Sequence, residues 1–149
     1  MSSSTAEAIA AQARRESALW AAALRDAPEW EPGFSQLAPA QYELGLETVY
    51  EAYLVHYRKP RLFRPEGESE RILLGDYLYA HGLVLIAEAG GVAAVAAMAE
   101  LISRCAALRA TGGPGDGEAW IDAACSLGGS PDATEVRQAL ERHLARVGT

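Results

Sequence analysis

The stretch Leu73 to Leu85, reading LLGDYLYAHGLVL, constrains this chain more than any other. Ile72, Leu73, Asp76, Tyr77, Ala80, Leu83 and Val84 fall along one side at helical period, which predicts the middle of a buried helix. A Gly-Asp pair, Gly75 and Asp76, interrupts that surface. The expected role of Asp76 is a helix-to-helix hydrogen bond beside Gly75, where the missing side chain admits a neighbouring backbone. His81 stands five positions further on, so on a regular helix the two side chains diverge by about 140° and do not pair. His81 reads as a packed or half-exposed polar residue, and His143, on the last helix, carries no assignment.

The remainder of the chain frames that helix. At 149 residues it is long enough for one domain, 1–149, with a real core. Abundant alanine with only 7% aromatics predicts an all-α, single-domain bundle of five or six helices. Ser4 and Glu7 offer a capping box for a first helix ending near Asp26. Residues 27–39, with Pro28, Pro32, Gly33 and Pro39, form a connector that tucks Trp30 and Phe34 against the bundle. Pro39 then opens a second helix, whose Tyr42, Leu46, Val49, Tyr50, Tyr53, Leu54 and Tyr57 build one apolar face with phenolic rims. Core packing is the default reading of those tyrosines, and a ligand wall the alternative.

Further along, a loop between His56 and Arg71 precedes a third helix capped by Ser69. Gly90 and Gly91 stop it, and Val92 to Leu108 gives a fourth. Residues 111–117, TGGPGDG, read as a flexible turn; they lack the Lys and Ser or Thr of a phosphate-binding P-loop, and no strand leads in. A short helix from Glu118 to Leu127 follows, and Ser130 with Pro131 starts the last, with Val136, Leu140, Leu144 and Val147 as its buried stripe.

Charge and cysteine content narrow the function. A net charge of −7 argues against nonspecific binding to nucleic acid or an anionic membrane, both of which need a basic surface. Cys105 and Cys125 lie in alanine-rich surroundings and read as small core residues, neither a disulfide framework nor a metal set. No apolar core precedes Arg14 and Arg15 as in a secretory signal, and the uncharged run Ala89 to Ala99 is short of the ~20 residues that span a bilayer. The expectation is a soluble, cytoplasmic protein without membrane insertion, cofactor or metal. One cationic cluster, Arg58, Lys59, Arg61 and Arg64 beside His56, could hold a diphosphate or a carboxylate through paired guanidinium hydrogen bonds. The plainer reading is a solvated loop, locally neutralised by Glu66, Glu68 and Glu70.

The run LLGDYLYAHGLVLIAEAGG resembles the Gly-Asp helix of the trans-isoprenyl (polyprenyl) diphosphate synthases. Leu54-Val55-His56 is similar to the Leu-Ile-His that leads into that family's first aspartate-rich motif, Met98 to Leu101 to its following helix, and Ala119 to Gly129 to a later one. The resemblance covers roughly residues 42 to 129, and only the Gly-Asp segment is specific by itself. On the family's register, Tyr57, Arg58 and Arg61 stand where aspartates would hold magnesium, and the chain carries no second aspartate-rich motif. The resemblance therefore implies a shortened isoprenoid-synthase-like helical domain that is not an enzyme on its own. Some polyprenyl synthases are two-component, and the short subunit of the heptaprenyl diphosphate synthases is the nearest analogy. The implied role is a regulatory partner subunit of a full-length prenyltransferase that influences product length, with Gly75, Asp76, Tyr77 and Tyr79 in helix packing or the interface. The alternatives are an anion-binding domain using residues 58–64, or a self-associating structural protein.

Overall fold

The computed structural model describes residues 4–147. Among these the chain is all-α, with helices α1 (Ser4–Glu16), α2 (Ala18–Ala22), α3 (Glu43–Tyr57), α4 (Gly67–Thr111), α5 (Asp116–Ser126) and α6 (Ala133–Val147). Single 3-10 turns at Ser35–Leu37 and Ala40–Tyr42 lead into α3, and one isolated bridge joins Leu24 to Phe63.

Helix α3 is the axis of the molecule. Every residue from Gly45 to Val55 is buried, so the expected single face with phenolic rims is corrected: Tyr50 and Tyr53 lie inside. A helix apolar nearly all round is covered on all sides. On one side Leu46, Val49, Tyr50 and Tyr53 join Phe34, Ile86, Met98 and Trp120 in the larger core. On the other, Ala52 and Val55 pack with Ile9, Trp20, Phe63, Leu74 and Leu78 in a second core beneath α1 and α2.

Close approach of α3 to α4 depends on glycine. A Cβ on Gly82 would stand 2.6 Å from Val49 Cγ2, and one on Gly45 would stand 2.7 Å from Ile86 Cδ1. At Gly75 the occupant of the missing side chain is the His56 imidazole, not the backbone that the sequence suggested. Within α4 two helical segments, 67–90 and 92–111, meet at a kink at the glycine pair, as the sequence suggested, because Gly91 takes φ 74° and ψ −159°. Only glycine adopts that region readily.

Helix boundaries differ from expectation where a side chain outcompetes periodicity. The first helix breaks at Ser17, whose extended backbone lets its Oγ accept the Leu19 N–H at 3.1 Å and start α2. Ser4 is already helical, so the residue that would cap α1 lies outside those described. Helix α4 begins at Gly67, two residues ahead of Ser69, with the Glu70 carboxylate accepting the Glu66 N–H. Helix α6 begins after Asp132, which exchanges capping hydrogen bonds with Glu135 at 2.8 and 3.1 Å. Its buried stripe centres on Ala139 and His143, while Leu144 is exposed.

The connector is held on both sides. Arg142 donates to the Pro32 and Gly33 carbonyls at 3.2 Å each, and Arg146 donates to the Glu29 carbonyl at 3.0 Å. Phe34 is buried and Trp30 half-buried, as their place in the sequence suggested.

Candidate functional site

The four cations of residues 58–64 do not converge. Arg61 is fully buried; its Nε donates to Glu51 Oε1 at 2.9 Å and its Nη1 to Glu47 Oε1 at 2.6 Å. Its guanidinium lies 4.0 Å from the Trp30 ring centroid and 4.9 Å from that of Tyr50. The two buried glutamates, one α-helical turn apart on α3, also accept the N–H groups of Gly33 and Leu62 and the Ser35 hydroxyl. With the Glu31 and Glu47 carbonyls taking further guanidinium donors, the group is spent on structure, and the reading of Arg61 as an anion ligand is corrected. Lys59 is exposed and pairs with the equally exposed Glu29 at 3.2 Å. Arg64 is exposed, and among the described residues no ion pair holds its side chain.

Arg58 turns the other way, toward Asp116. That carboxylate, buried at the start of α5, accepts the Tyr53 hydroxyl and a hydrogen bond from Arg109 Nη2 to Oδ1 at 3.1 Å, with Arg109 Nε at ion-pair distance, 3.0 Å, from Oδ2. Arg109 also donates to the Gly113 carbonyl, which fastens the glycine-rich turn to the end of α4. Arg58 sits further out, with Nη2 3.8 Å from Asp116 and Nε 3.5 Å from the Tyr53 oxygen. Burial and the Asp116 hydrogen bond push the Tyr53 hydroxyl well above its usual range, so it remains a donor at neutral pH. Beside this group, His143 Nδ1 lies 2.7 Å from the buried Tyr50 hydroxyl. Burial drives the imidazole down to about 4, so it is neutral at pH 7. Arg58, Arg109, Asp116 and His143 line a cleft of about 580 Å³ under the turn.

The Gly-Asp segment behaves differently again. Asp76 is exposed, and its Oδ1 stands 3.2 Å from His56 Nε2 on α3, a close contact between the two helices. Tyr79 stacks on His56 with ring centroids 5.1 Å apart. Tyr77 faces the opposite side, stacked on Trp20 and on His81. Outward of these residues α4 is bare: Leu73 is 57% exposed, Val84 55% and Val92 88%. Leu73, Ala80, Val84 and Ala87 recur at helical spacing along this outer stripe, with Asp76 and its carboxylate among them. By length and composition an 18-residue stretch of α4 would suffice to cross a membrane, and only 22% of it is buried.

Neither cysteine is paired; burial pushes the Cys105 thiol up to about 12, which leaves it unreactive. Among the described residues no three His, Cys, Asp or Glu side chains come together as a metal site. Two groups central to the geometry were not singled out from the sequence. Glu47 and Glu51 were visible as two carboxylates four apart in an apolar helix, a spacing that places both on one face. His143 was visible only as one helical turn beyond Ala139, on a helix otherwise rich in charge. No protein-family model, no curated protein and no solved structure matches the chain.

Proposed function

We propose that the chain is a noncatalytic helical subunit that docks the outer face of α4 on a full-length polyprenyl diphosphate synthase and influences the length of its product. The observation that carries this reading is the apolar stripe of α4 ahead of the Gly91 kink, with Leu73 and Val84 in solvent. Contiguous apolar surface of this kind marks an interaction site. The choice of partner rests on the resemblance of residues 73–91 to the Gly-Asp helix of that enzyme family, an analogy of sequence pattern. Two further features support a subunit role. Arg58 and Arg61 stand where the family's pattern has metal-binding aspartates, and Arg61 is committed to Glu47 and Glu51. The reading thus assigns the chemistry to the partner and an apolar wall to this chain.

The test is light scattering on the purified chain, alone and mixed with the polyprenyl diphosphate synthase of the same genome, followed by a chain-elongation assay. A defined heteromer whose product length depends on this chain supports the proposal. Leu73→Glu and Val84→Glu are expected to abolish the heteromer while leaving the melting temperature of the free chain near that of wild type. A chain that ignores the synthase and runs as a stable homo-oligomer sinks it.

A further inference from the structure

The cleft beneath residues 112–117 presents donors that the docking proposal does not use. Tyr50 is buried, and among the described residues its hydroxyl meets only His143 Nδ1. Tyr50 has no other acceptor among the described residues, and donation from its hydroxyl to Nδ1 puts the proton of the neutral imidazole on Nε2. His143 is 2% exposed, its ring lines the cleft, and among the described residues nothing hydrogen-bonds Nε2. A nine-tenths-buried donor is therefore left facing the opening.

Three other features meet there. Helix α5, 11 residues long, starts from Gly115 with no side-chain cap, so its first-turn N–H groups and the positive end of its dipole face the cleft. Among the described residues the Arg58 side chain has only two long contacts, 3.5 Å to Tyr53 and 3.8 Å to Asp116, leaving most of its five donors available. Arg109 is neutralised by its ion pair with Asp116, so the inner cluster of two guanidiniums and one carboxylate keeps one positive charge. Glu118, exposed at the rim, is the other charge lining the cleft. Pro114, Leu144 and Val147 supply the apolar part of the lining.

We propose that this cleft binds the phosphoryl group of a small phosphate monoester, with Arg58, the His143 Nε2–H and the first turn of α5 as its donors. Guanidinium, imidazole N–H and helix N-terminal amides together suit a tetrahedral oxyanion with several acceptor oxygens. The cleft, about 580 Å³, exceeds the volume of free phosphate and leaves the apolar wall for the organic remainder. This site lies apart from the outer stripe of α4, so its failure and that of the docking proposal are read separately.

The experiment is isothermal titration of the whole chain at low ionic strength with inorganic phosphate, phenyl phosphate and benzoate. Amide NMR shifts at Gly113 and Gly117 locate any binding. Phenyl phosphate is expected to bind tighter than phosphate, and both tighter than benzoate, with shifts at the two glycines. Arg58→Ala is expected to weaken phenyl phosphate roughly ten- to a hundredfold, the range for losing a charge-assisted hydrogen bond. His143→Gln, which keeps a side-chain donor, is expected to retain more affinity than His143→Phe. The proposal is overturned by an absence of saturable phosphate binding, by benzoate binding tighter than phenyl phosphate, or by Arg58→Ala binding as wild type while its melting temperature is unchanged.

Discussion

Arginine 61 and lysine 59 stand two positions apart and carry the same charge, yet their environments are opposite. Removing Arg61 leaves Glu47 and Glu51 buried with uncompensated charge, the costliest way to break an ion pair. Arg61→Ala is expected to lower stability by about 3–5 kcal/mol in urea unfolding. Lys59→Ala, which breaks an exposed pair with Glu29, is expected to leave the urea midpoint near that of wild type. The sequence could not separate the two, because what distinguishes them is supplied by α3 and the connector, ten to thirty residues away in the chain. Asp76 was legible only in part: its place beside the glycine that admits α3 followed from the pattern, whereas the neighbour found there, the His56 imidazole, did not.

Helix α4 was recovered as a helix but not in its orientation: the side carrying Ile72, Leu73, Asp76, Ala80 and Val84, expected to be buried, faces solvent, and Leu74, Leu78, Gly82 and Ile86 are buried instead. The glycine pair marked a boundary, and the change of direction does fall at Gly91. The two helices expected on either side of it are joined through that one non-helical residue, without a loop. Gly91→Ala meets no neighbouring atom, so its cost is one of backbone conformation alone, about 1–3 kcal/mol. Gly82→Ala is different in kind: its Cβ would stand 2.6 Å from Val49 Cγ2 and 3.2 Å from the Val49 backbone nitrogen, forcing α3 and α4 apart. Thermal unfolding of the pair is expected to place Gly82→Ala at a loss of about 1–3 kcal/mol, and only that variant is expected to perturb the near-ultraviolet signal of the core aromatics. The break at Ser17 escaped notice because alanine-rich sequence continues across it and one hydroxyl decides the outcome.

At the scale of the whole molecule, two cores share one central helix, and the larger encloses an imidazole. His143 titrates near 4 when folded and near 6.5 when unfolded, so between those values the unfolded chain binds the extra proton. Stability is expected to fall as pH drops from 6.5 toward 4, by on the order of 3 kcal/mol at ~1.36 kcal/mol per pH unit, and this contribution changes no further below 4. Burial lowers His56 as well, against the pull of Asp76, and acts in the same direction. Unfolding at stepped pH is expected to give a shallower slope for His143→Gln over this window, and an equal slope would refute the assignment. The all-α architecture was readable from composition and spacing. The shared axis was not, because a helix buried on every side and one buried on a single face both show apolar residues at three and four.

The Arg61 tie also bears on how the folded chain meets a protease. Residues 27–39 have the proline and glycine content of an exposed tether, yet Arg61, Arg142 and Arg146 hold their carbonyls from two sides and Phe34 is buried in the larger core. The stretch that looks softest in the sequence is therefore closed to enzymes that need several residues of free, extended backbone. Losing Arg61 would free only the Glu31 carbonyl, with Arg142, Arg146 and Phe34 still holding the rest.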